Sequence, residues 1–452
     1  MSAPDAFCIL PDSLVAFILS KMTITDAVKS SILSKRWRFV YTQMPQITFY
    51  PHHFLRPGVT PRDPCPVLGS RVGNIISNIL LGHSHNLEGL HLHSSDSDWL
   101  NFSDENVCKW VRHASQCNVQ HLTLRNHNNI IDRTTYPPAV DPIPPPALFK
   151  CSRLVTFYLD KYNLTRFPID FVGFPNLNTC HLRYVKFTDE SLVSLISLCP
   201  CLQKLEIILD NWLGNVIIFS STLEHLNISF VKSLSVNCPK FRNLSAAWID
   251  DLSVNGVPFY ELSMNDTFHL EMHCGGTLRE LNMNCLGGIL APLPGVVSAS
   301  RFLHIVGNFQ SLKKLVINLT YPWKMLESEA GMDVPLLDLL HRLPNLQTLS
   351  MLGFFVEELA RGPIPDCLTS PHVNLKKIRL QIIQFDDKEV AVISCLLQSM
   401  PSLEAFEIKL PYECDENESE YEGQCLKLFK DIMSLRRASS LARIIVLDKC
   451  SK

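Results

Sequence analysis

The 452-residue chain lacks the features that would mark an enzyme, a membrane protein or a nucleic-acid binder. It has no Gly-x-Ser-x-Gly turn, no phosphate-cradling glycine loop and no His-Glu-x-x-His pair, so the familiar nucleophile, nucleotide and zinc-protease arrangements are missing. No uninterrupted apolar run reaches the roughly 18 residues that a membrane span needs. The N-terminus lacks the basic segment, apolar core and small-residue cleavage site of a secretory leader. Lys and Arg number 41 against 44 Asp and Glu, a net charge of −3, which offers a polyanion no bulk attraction. The sixteen cysteines are scattered without the paired Cys-x-x-Cys spacing of a zinc site, and Cys199-Pro-Cys201 stands alone. Without a leader they read as reduced thiols of an intracellular compartment, cytoplasm or nucleus. The sequons at Asn101, Asn163, Asn227, Asn243, Asn265, Asn318 and Asn417 then read as fortuitous.

What is present is an apolar content of 46% with 19% charged residues, the balance of a folded globular chain. Its length exceeds one ordinary core, so a small module beside a large or extended domain is expected. From residue 87 onward one pattern, apolar-x-x-apolar-x-apolar, recurs fourteen times. The copies are LEGLHL (87–92), VQHLTL (119–124), LVTFYL (154–159), LNTCHL (177–182), LQKLEI (202–207), LEHLNI (223–228) and FRNLSA (241–246). They continue as FYELSM (259–264), LRELNM (278–283), LKKLVI (312–317), LQTLSM (346–351), LKKIRL (375–380), LEAFEI (403–408) and LARIIV (441–446). This is the signature of a leucine-rich repeat, in which each copy is a short strand burying its apolar residues against its neighbours. The implied fold is an α/β solenoid: a curved array with parallel strands on its concave side.

Successive copies start 18–21 residues apart between Leu202 and Leu278, and up to 38 apart toward the ends. The long intervals leave room for helices, and stripes at helical spacing fill them. These are Val72-Ile75-Ile76-Ile79, Val107-Trp110-Val111-Ala114, Leu192-Leu195-Ile196, Val390-Ile393-Leu397 after Asp386-Asp387, and Leu426-Phe429-Ile432-Met433. Each is read as core. The short middle intervals admit only a turn or extended return. Three segments interrupt the pattern: residues 51–68 with five prolines, read as a linker; the loop Tyr136–Pro146, read as stiff and exposed rather than as a polyproline ligand; and the acidic stretch 413–422, read as a solvated loop.

Residues 10–49 follow a different logic. Leu14, Phe17, Ile18 and Met22 recur at helical spacing after Pro11, which suits a first helical turn. Thr25 and Asp26 are candidate caps for a second helix carrying Ala27, Val28, Ser31 and Ile32, and Ser34 for a third containing Trp37 and Phe39-Val40. Helices of roughly 8–10 residues are not stable alone, and about forty residues rarely support their own core. Yet about a dozen large apolar side chains need cover, each worth roughly 1.5–3 kcal/mol when buried. Two covers are open: the rest of this chain, or a partner.

The order Leu10-Pro11, Leu14, Ile18-Leu19, Asp26-Ala27-Val28 and Ser34-Lys35-Arg36-Trp37 resembles the F-box, the module that ties a substrate-binding protein to a Skp-type adaptor and a cullin ubiquitin ligase. The resemblance implies that Leu10, Pro11, Leu14, Ile18, Leu19, Val28, Leu33 and Trp37 lie at or just behind an adaptor-binding face, Trp37 being partly internal in the family. Near the C-terminus, PDCLTSPHVNLKKIRL followed by FDDKEVAVISCLLQSMPSLEAFEI resembles the FBD region of plant F-box/leucine-rich-repeat proteins, with Phe385 where that family usually has glycine. The expected layout is an F-box over 8–50, a Pro-rich linker over 51–70, leucine-rich repeats over 71–340 and FBD-like repeats over 341–450.

Positions 3, 5 and 7 of each copy face outward. There Tyr158, His181, Arg183, Lys204, Glu206, His225, Lys377 and Arg379 are the candidate target-binding residues. His91, His93 and His121 stand on adjacent strands but have no carboxylate or thiol in their row, so a polar ladder suits them better than zinc. Lys377 and Arg379 faintly resemble the basic cluster that holds an inositol phosphate in plant hormone receptors, but no cofactor is expected. The resemblance implies a non-catalytic substrate receptor of a Skp–cullin–F-box ligase. The alternatives are a non-degradative interaction scaffold and an enzyme with an unrecognised site.

Overall fold

The computed structural model describes residues 10–33, 35–54, 66–83, 87–93, 102–126, 142–255, 260–272, 277–285, 306–307, 309–319, 338–353, 355–360, 364–383, 386–410 and 418–447. The chain divides into two compact units, Met1–Phe230 and Val231–Lys452.

In the first unit, β1 (Gln46–Phe49), β2 (Gly89–His93), β3 (His121–Arg125), β4 (Thr156–Asp160), β5 (Thr179–Val185) and β6 (Lys204–Leu209) pair in parallel in chain order. Next to β6 lie the first residues of β8 (His225–Asn237), and β7 (Leu213–Phe219) pairs with β8 off that path. β7 is the extended return expected for a short interval. In the second unit β9 (Asn243–Asn255), β10 (Glu261–Met272), β11 (Glu280–Cys285), β12 (Lys314–Leu319), β13 (Thr348–Gly353), β14 (Lys377–Gln381), β15 (Ala405–Lys409) and β16 (Arg443–Leu447) follow the same parallel order. Each unit is therefore a leucine-rich α/β repeat stack.

The repeat enforces its own register. All fourteen signatures begin two residues before their strand. Their apolar residues form columns: Ile47, Leu90, Leu122, Phe157, Cys180, Leu205 and Leu226 are paired in sequence and each is at most 2% exposed. One backbone carbonyl at the second repeat position accepts two N–H groups from the next copy. Glu88 receives Gln120 and His121 at 2.7 and 2.9 Å, Gln120 receives Val155 and Thr156 at 2.7 and 3.0 Å, and the same step recurs at Arg242, Arg279, Lys313 and Lys376. Buried backbone polar groups are thus satisfied between repeats rather than within them.

The chain leaves the ladder at a fixed place. Lys161, Tyr184, Phe230, Trp248 and Gly353 have φ of 59, 51, 63, 56 and 62°, and each stands seven residues after the first apolar residue of its copy. The left-handed region costs a non-glycine residue roughly 1–2 kcal/mol, so only Gly353 meets it freely. At Tyr184 the turn breaks the β5–β6 register between Arg183 and Val185.

Helices fill the long intervals: α3 (Pro66–Leu81), α4 (Asp104–Gln116) and α5 (Asp189–Ser197) in the first unit. The second unit has α6 (Asp338–Arg342), α7 (Phe355–Ala360), α8 (Asp387–Ser399) and α9 (Glu418–Ser434). The stripes named above lie on α3, α4, α5, α8 and α9, but the first and the last are not core throughout: Ile75 on α3 is 45% exposed. Leu426, Phe429 and Met433 are 57, 47 and 50% exposed, while Leu428 and Ile432 turn inward. Three further expectations are corrected. α3 begins at Pro66, inside the proline-rich stretch read as a linker. Glu418–Glu422 belong to α9 rather than to a loop, while 413–417 lie outside the described residues. Pro144 and Pro145, at the end of the Tyr136–Pro146 segment, are buried; 136–141 lie outside the described residues.

A fifteenth copy emerges. Met44-Pro-Gln-Ile47-Thr-Phe49 fits the same pattern, and β1 begins two residues after Met44 and pairs with β2. The repeat stack therefore starts within the span assigned to the F-box, and α2 packs against it.

Phe157 sits in the middle of the first column at 2% exposure. Phe157→Ala should lower the stability of the Met1–Phe230 unit by about 3–5 kcal/mol, measured as a urea midpoint shift at unchanged m. A loss under about 1 kcal/mol would mean the column is not continuous core.

Candidate functional site

At the N-terminus, α1 (Asp12–Leu19) starts behind Pro11, which occupies the N-cap (φ −58°, ψ 147°) rather than the first turn, its carbonyl accepting from Leu14 and Val15. α2 (Ile24–Lys29) is capped by Thr23, not by Thr25 or Asp26: the Thr23 hydroxyl accepts from the Asp26 amide at 3.2 Å. It also donates to the Asp26 carboxylate at 2.8 Å, and Lys29 adds a 3.2 Å ion pair. Those two contacts, the Thr23 bond first, hold the Asp26 carboxyl below its ordinary pKa. Ser34 lies outside the described residues. The third element is a 3-10 turn, Trp37–Gln43, not an α-helix. Arg36 folds back across α1, pairing with Asp12 at 2.7 Å and donating to the Leu10 carbonyl.

These helices bury one face and expose another. Val15, Ala16, Leu19, Ile24, Ala27, Val40 and Met44 are at most 2% exposed and form the module's inner side. Leu14, Phe17, Ile18, Met22, Ile32, Leu33 and Phe39 are 49, 53, 40, 47, 84, 74 and 64% exposed. Among the described residues, seven of the twenty-two exposed large apolar side chains thus crowd into the short stretch from Leu14 to Phe39, far denser than the single exposed apolar residues of an ordinary surface. Among the candidate adaptor residues, Leu14, Ile18 and Leu33 lie in this patch and Pro11 is exposed beside it. Leu10, Val28 and Trp37 are half-buried, and Leu19 is core behind the face. The sequence reading omitted Phe17, Met22, Ile32 and Phe39 from the site, although their helical spacing with Leu14 and Ile18 could have flagged the first two.

The second candidate surface is the outer face of the ladder. In the first unit, Tyr158, His181 and Glu206 share one row of adjacent strands, Asp160 and Arg183 another, and Lys204 and His225 a third. His181 Nδ1 lies 2.9 Å from Glu206 Oε2, Arg183 Nη1 donates to the Tyr158 hydroxyl at 3.4 Å, and the Tyr158 and His181 rings stand 6.0 Å apart. The Tyr158 bond, more than the nearby Asp160 charge, raises the pKa of the Arg183 guanidinium. Arg125, absent from the sequence reading, stacks its guanidinium 4.6 Å from the Tyr158 ring centre. Lys204 is exposed and His225 half-buried.

In the second unit the basic pair shares one carboxylate. Glu407, on the neighbouring strand, lies 2.5 Å from Lys377 Nζ and 3.7 Å from Arg379 Nε. Lys314 is likewise engaged by Glu280 at 2.8 Å. This row is a set of cross-strand ion pairs, so Lys377 and Arg379 do not form an open anion cluster.

The three histidines are separately engaged. His91 Nδ1 meets the Thr123 hydroxyl at 2.8 Å, His121 Nδ1 meets Thr156 at 2.7 Å, and His93 stacks on Tyr50 at 4.3 Å. Among the described residues no group of three His, Cys, Asp or Glu is placed to hold a metal ion. Burial pushes the thiols of Cys151 and Cys199 up to about 12 and about 11, away from nucleophilic thiolate character. No helix among the described residues is long and apolar enough to cross a membrane.

Burial is also the first cause that lowers the pKa of His83 and His91 below the ordinary 6.5. The unfolded chain therefore binds protons that these folded imidazoles refuse. Stability from them is present above the unfolded pKa and falls as pH drops through about 6.5. Thermal unfolding of the chain should fall between pH 7.5 and 5.5, and the double variant His83→Gln/His91→Gln should show a shallower fall. An equal slope in both proteins would refute the assignment.

The comparisons with known proteins agree with this geometry. Residues 107–251 match a family model described as FBD-associated F-box protein At5g56370, LRR repeats. The chain is 29% identical over 253 residues to FBD-associated F-box protein At5g38590 of Arabidopsis thaliana, a match covering 54% of this chain and about half, 53%, of that protein. It is 24% identical over 455 residues to F-box/FBD/LRR-repeat protein At2g26030 and 22% identical over 423 residues to putative F-box protein At3g58860, both also from Arabidopsis thaliana. These matches cover 97 and 89% of this chain and 93 and 88% of the relatives. Among solved structures, the LRR protein LIC12759 of Leptospira interrogans covers 81% of this chain and 91% of its own at a TM-score of 0.34 and 14% identity, too loose a superposition to weigh. The repeat match, the near-full-length similarity and the fifteen strand signatures all liken the chain to the plant F-box/FBD/LRR-repeat proteins.

Proposed function

We propose that this chain is the substrate receptor of a Skp–cullin–F-box ubiquitin ligase, with residues 8–50 docking on a Skp-type adaptor and the ladder of the repeat stack holding a target protein. The observation that carries it is the apolar face of Leu14, Phe17, Ile18, Met22, Ile32, Leu33 and Phe39, left uncovered while the opposite face packs inward. Burial of a side chain of this size is worth roughly 1.5–3 kcal/mol, so even partial cover of seven gives an adaptor a strong reason to bind. Clustered large apolar anchors with charged residues around them match the core-and-rim make-up of an interface. The chain's own contribution to ubiquitin transfer is positional. Holding a target near the catalytic subunits raises its effective concentration, and no nucleophile of this chain is called on.

The test separates face from core. Ile18→Asp and Leu33→Asp place a charge where an apolar group meets the adaptor and should each abolish co-purification with a Skp-type adaptor while the thermal transition stays within a few degrees. Leu19→Ala, at 1% exposure, should cost the module about 2–5 kcal/mol. Undiminished adaptor binding by both aspartate variants would sink the reading.

A further inference from the structure

We propose that the target is recognised through an acidic side chain, an Asp or Glu in an extended segment, seated between Arg125 and Arg183 on the ladder of the first unit. This deepens the reading of that ladder as the target-binding surface and rests on it.

Arg125, Asp160 and Arg183 are register partners on three successive strands. Neighbouring strands lie about 4.8 Å apart, so the two arginines start roughly 10 Å from each other with β4 between them, a span a carboxylate can bridge. Both guanidiniums are already positioned. Arg125 lies over the Tyr158 ring, 4.6 Å from its centre, and Arg183 sits 5.7 Å from the Tyr184 ring while donating to the Tyr158 hydroxyl. Stacked guanidiniums lose less rotamer freedom on capturing a ligand. The Nε–H groups of Arg125 and Arg183 are shielded from solvent, yet neither finds an acceptor among the described residues. A buried donor left unpaired costs about 1–3 kcal/mol, and an incoming carboxylate removes that cost.

The charges select a carboxylate over a phosphate. Asp160, 5% exposed, stands between the two arginines, and Glu206 faces His181 next door. The Arg125–Asp160–Arg183 row therefore carries a net charge of +1, enough for one monoanion. A dianionic phosphate would meet both acidic groups. Beside Arg183, Tyr184 is 36% exposed, and in the same unit Trp212 is 46% exposed with Phe230 edge-on to it at 5.7 Å. Arg, Tyr and Trp are the residue types that dominate interface energetics, so an apolar neighbour of the acidic residue fits there.

The experiment uses the full chain purified with a Skp-type adaptor. A displayed library of random dodecapeptides is selected on it, and enriched sequences are synthesised as Glu or Asp peptides, as their Gln or Asn counterparts, and with phosphoserine at the same position. The selected peptides should be rich in acidic residues, and amide replacement should weaken binding at least about tenfold. Arg125→Gln and Arg183→Gln should each weaken it to a similar degree, with Arg153→Gln, exposed and off the ladder, unchanged. Each variant must keep adaptor binding, so a failure of the adaptor reading registers separately. Selection without acidic bias, no selected binders, full binding by the arginine variants, or tighter binding of the phosphoserine peptide would overturn the proposal.

Discussion

The constraint on which the rest depends is parallel register. Every copy places its first strand residue two positions after the opening apolar residue, so all copies agree on which side chains turn inward. Leu90, Leu122, Phe157, Cys180 and Leu205 are then one continuous core wall, and no copy could bury its apolar face alone. A one-residue slip would turn every core residue outward. The doubly accepting carbonyls make such a slip costly in hydrogen bonds as well. The same register dictates the outer rows, and so brings Arg125, Tyr158 and Arg183 together from positions 125, 158 and 183 of the sequence. Function on the ladder is a by-product of the core's geometry.

Register also explains where strain collects. In several copies the backbone turns at the eighth repeat position, and there Lys161, Tyr184, Phe230 and Trp248 accept a left-handed conformation that Gly353 takes without penalty. Backbone strain at bulky residues persists where surrounding packing over-determines it. Tyr184 shows the use to which such a position is put: the break in register at this residue lifts its ring to the surface beside Arg183. An aromatic side chain at this corner serves the outer face, whereas a glycine there serves only the turn.

Local patterning made much of this legible. The fourteen strand signatures were readable because the period-two alternation inside each copy and the longer repeat agree, and two consistent periodicities leave little freedom. The fifteenth, Met44–Phe49, escaped notice because residues 10–49 already carried a helical explanation, and a segment serving two modules shows only one pattern clearly. Cap positions failed for a subtler reason. Thr23, Thr25 and Asp26 are all capable acceptors, and only the backbone turn at Thr23, ψ 145°, decides among them. The pairing of Lys377 and Arg379 was hidden because the carboxylate they share, Glu407, stands on the next strand. Charge balance across strands cannot be seen within one strand. Arg125 was missed for the mirror-image reason, since its importance comes from a tyrosine ring 33 positions away.

The two candidate surfaces differ in how they hold a partner, and the difference suits their proposed roles. The N-terminal face is apolar, with few groups that discriminate between partners, and its helices are too short to stand without cover. Such a face suits a constant adaptor, bound through burial. The ladder is polar, pre-positioned and nearly charge-balanced, with buried donors that reject whatever cannot satisfy them. Selectivity of that kind comes from the penalty on the wrong partner rather than from the area shared with the right one. A receptor that must join one machine and choose among many proteins needs both kinds of surface. In this chain they lie in the same unit, so β1 and the register it begins connect the surface proposed to dock to the surface proposed to select.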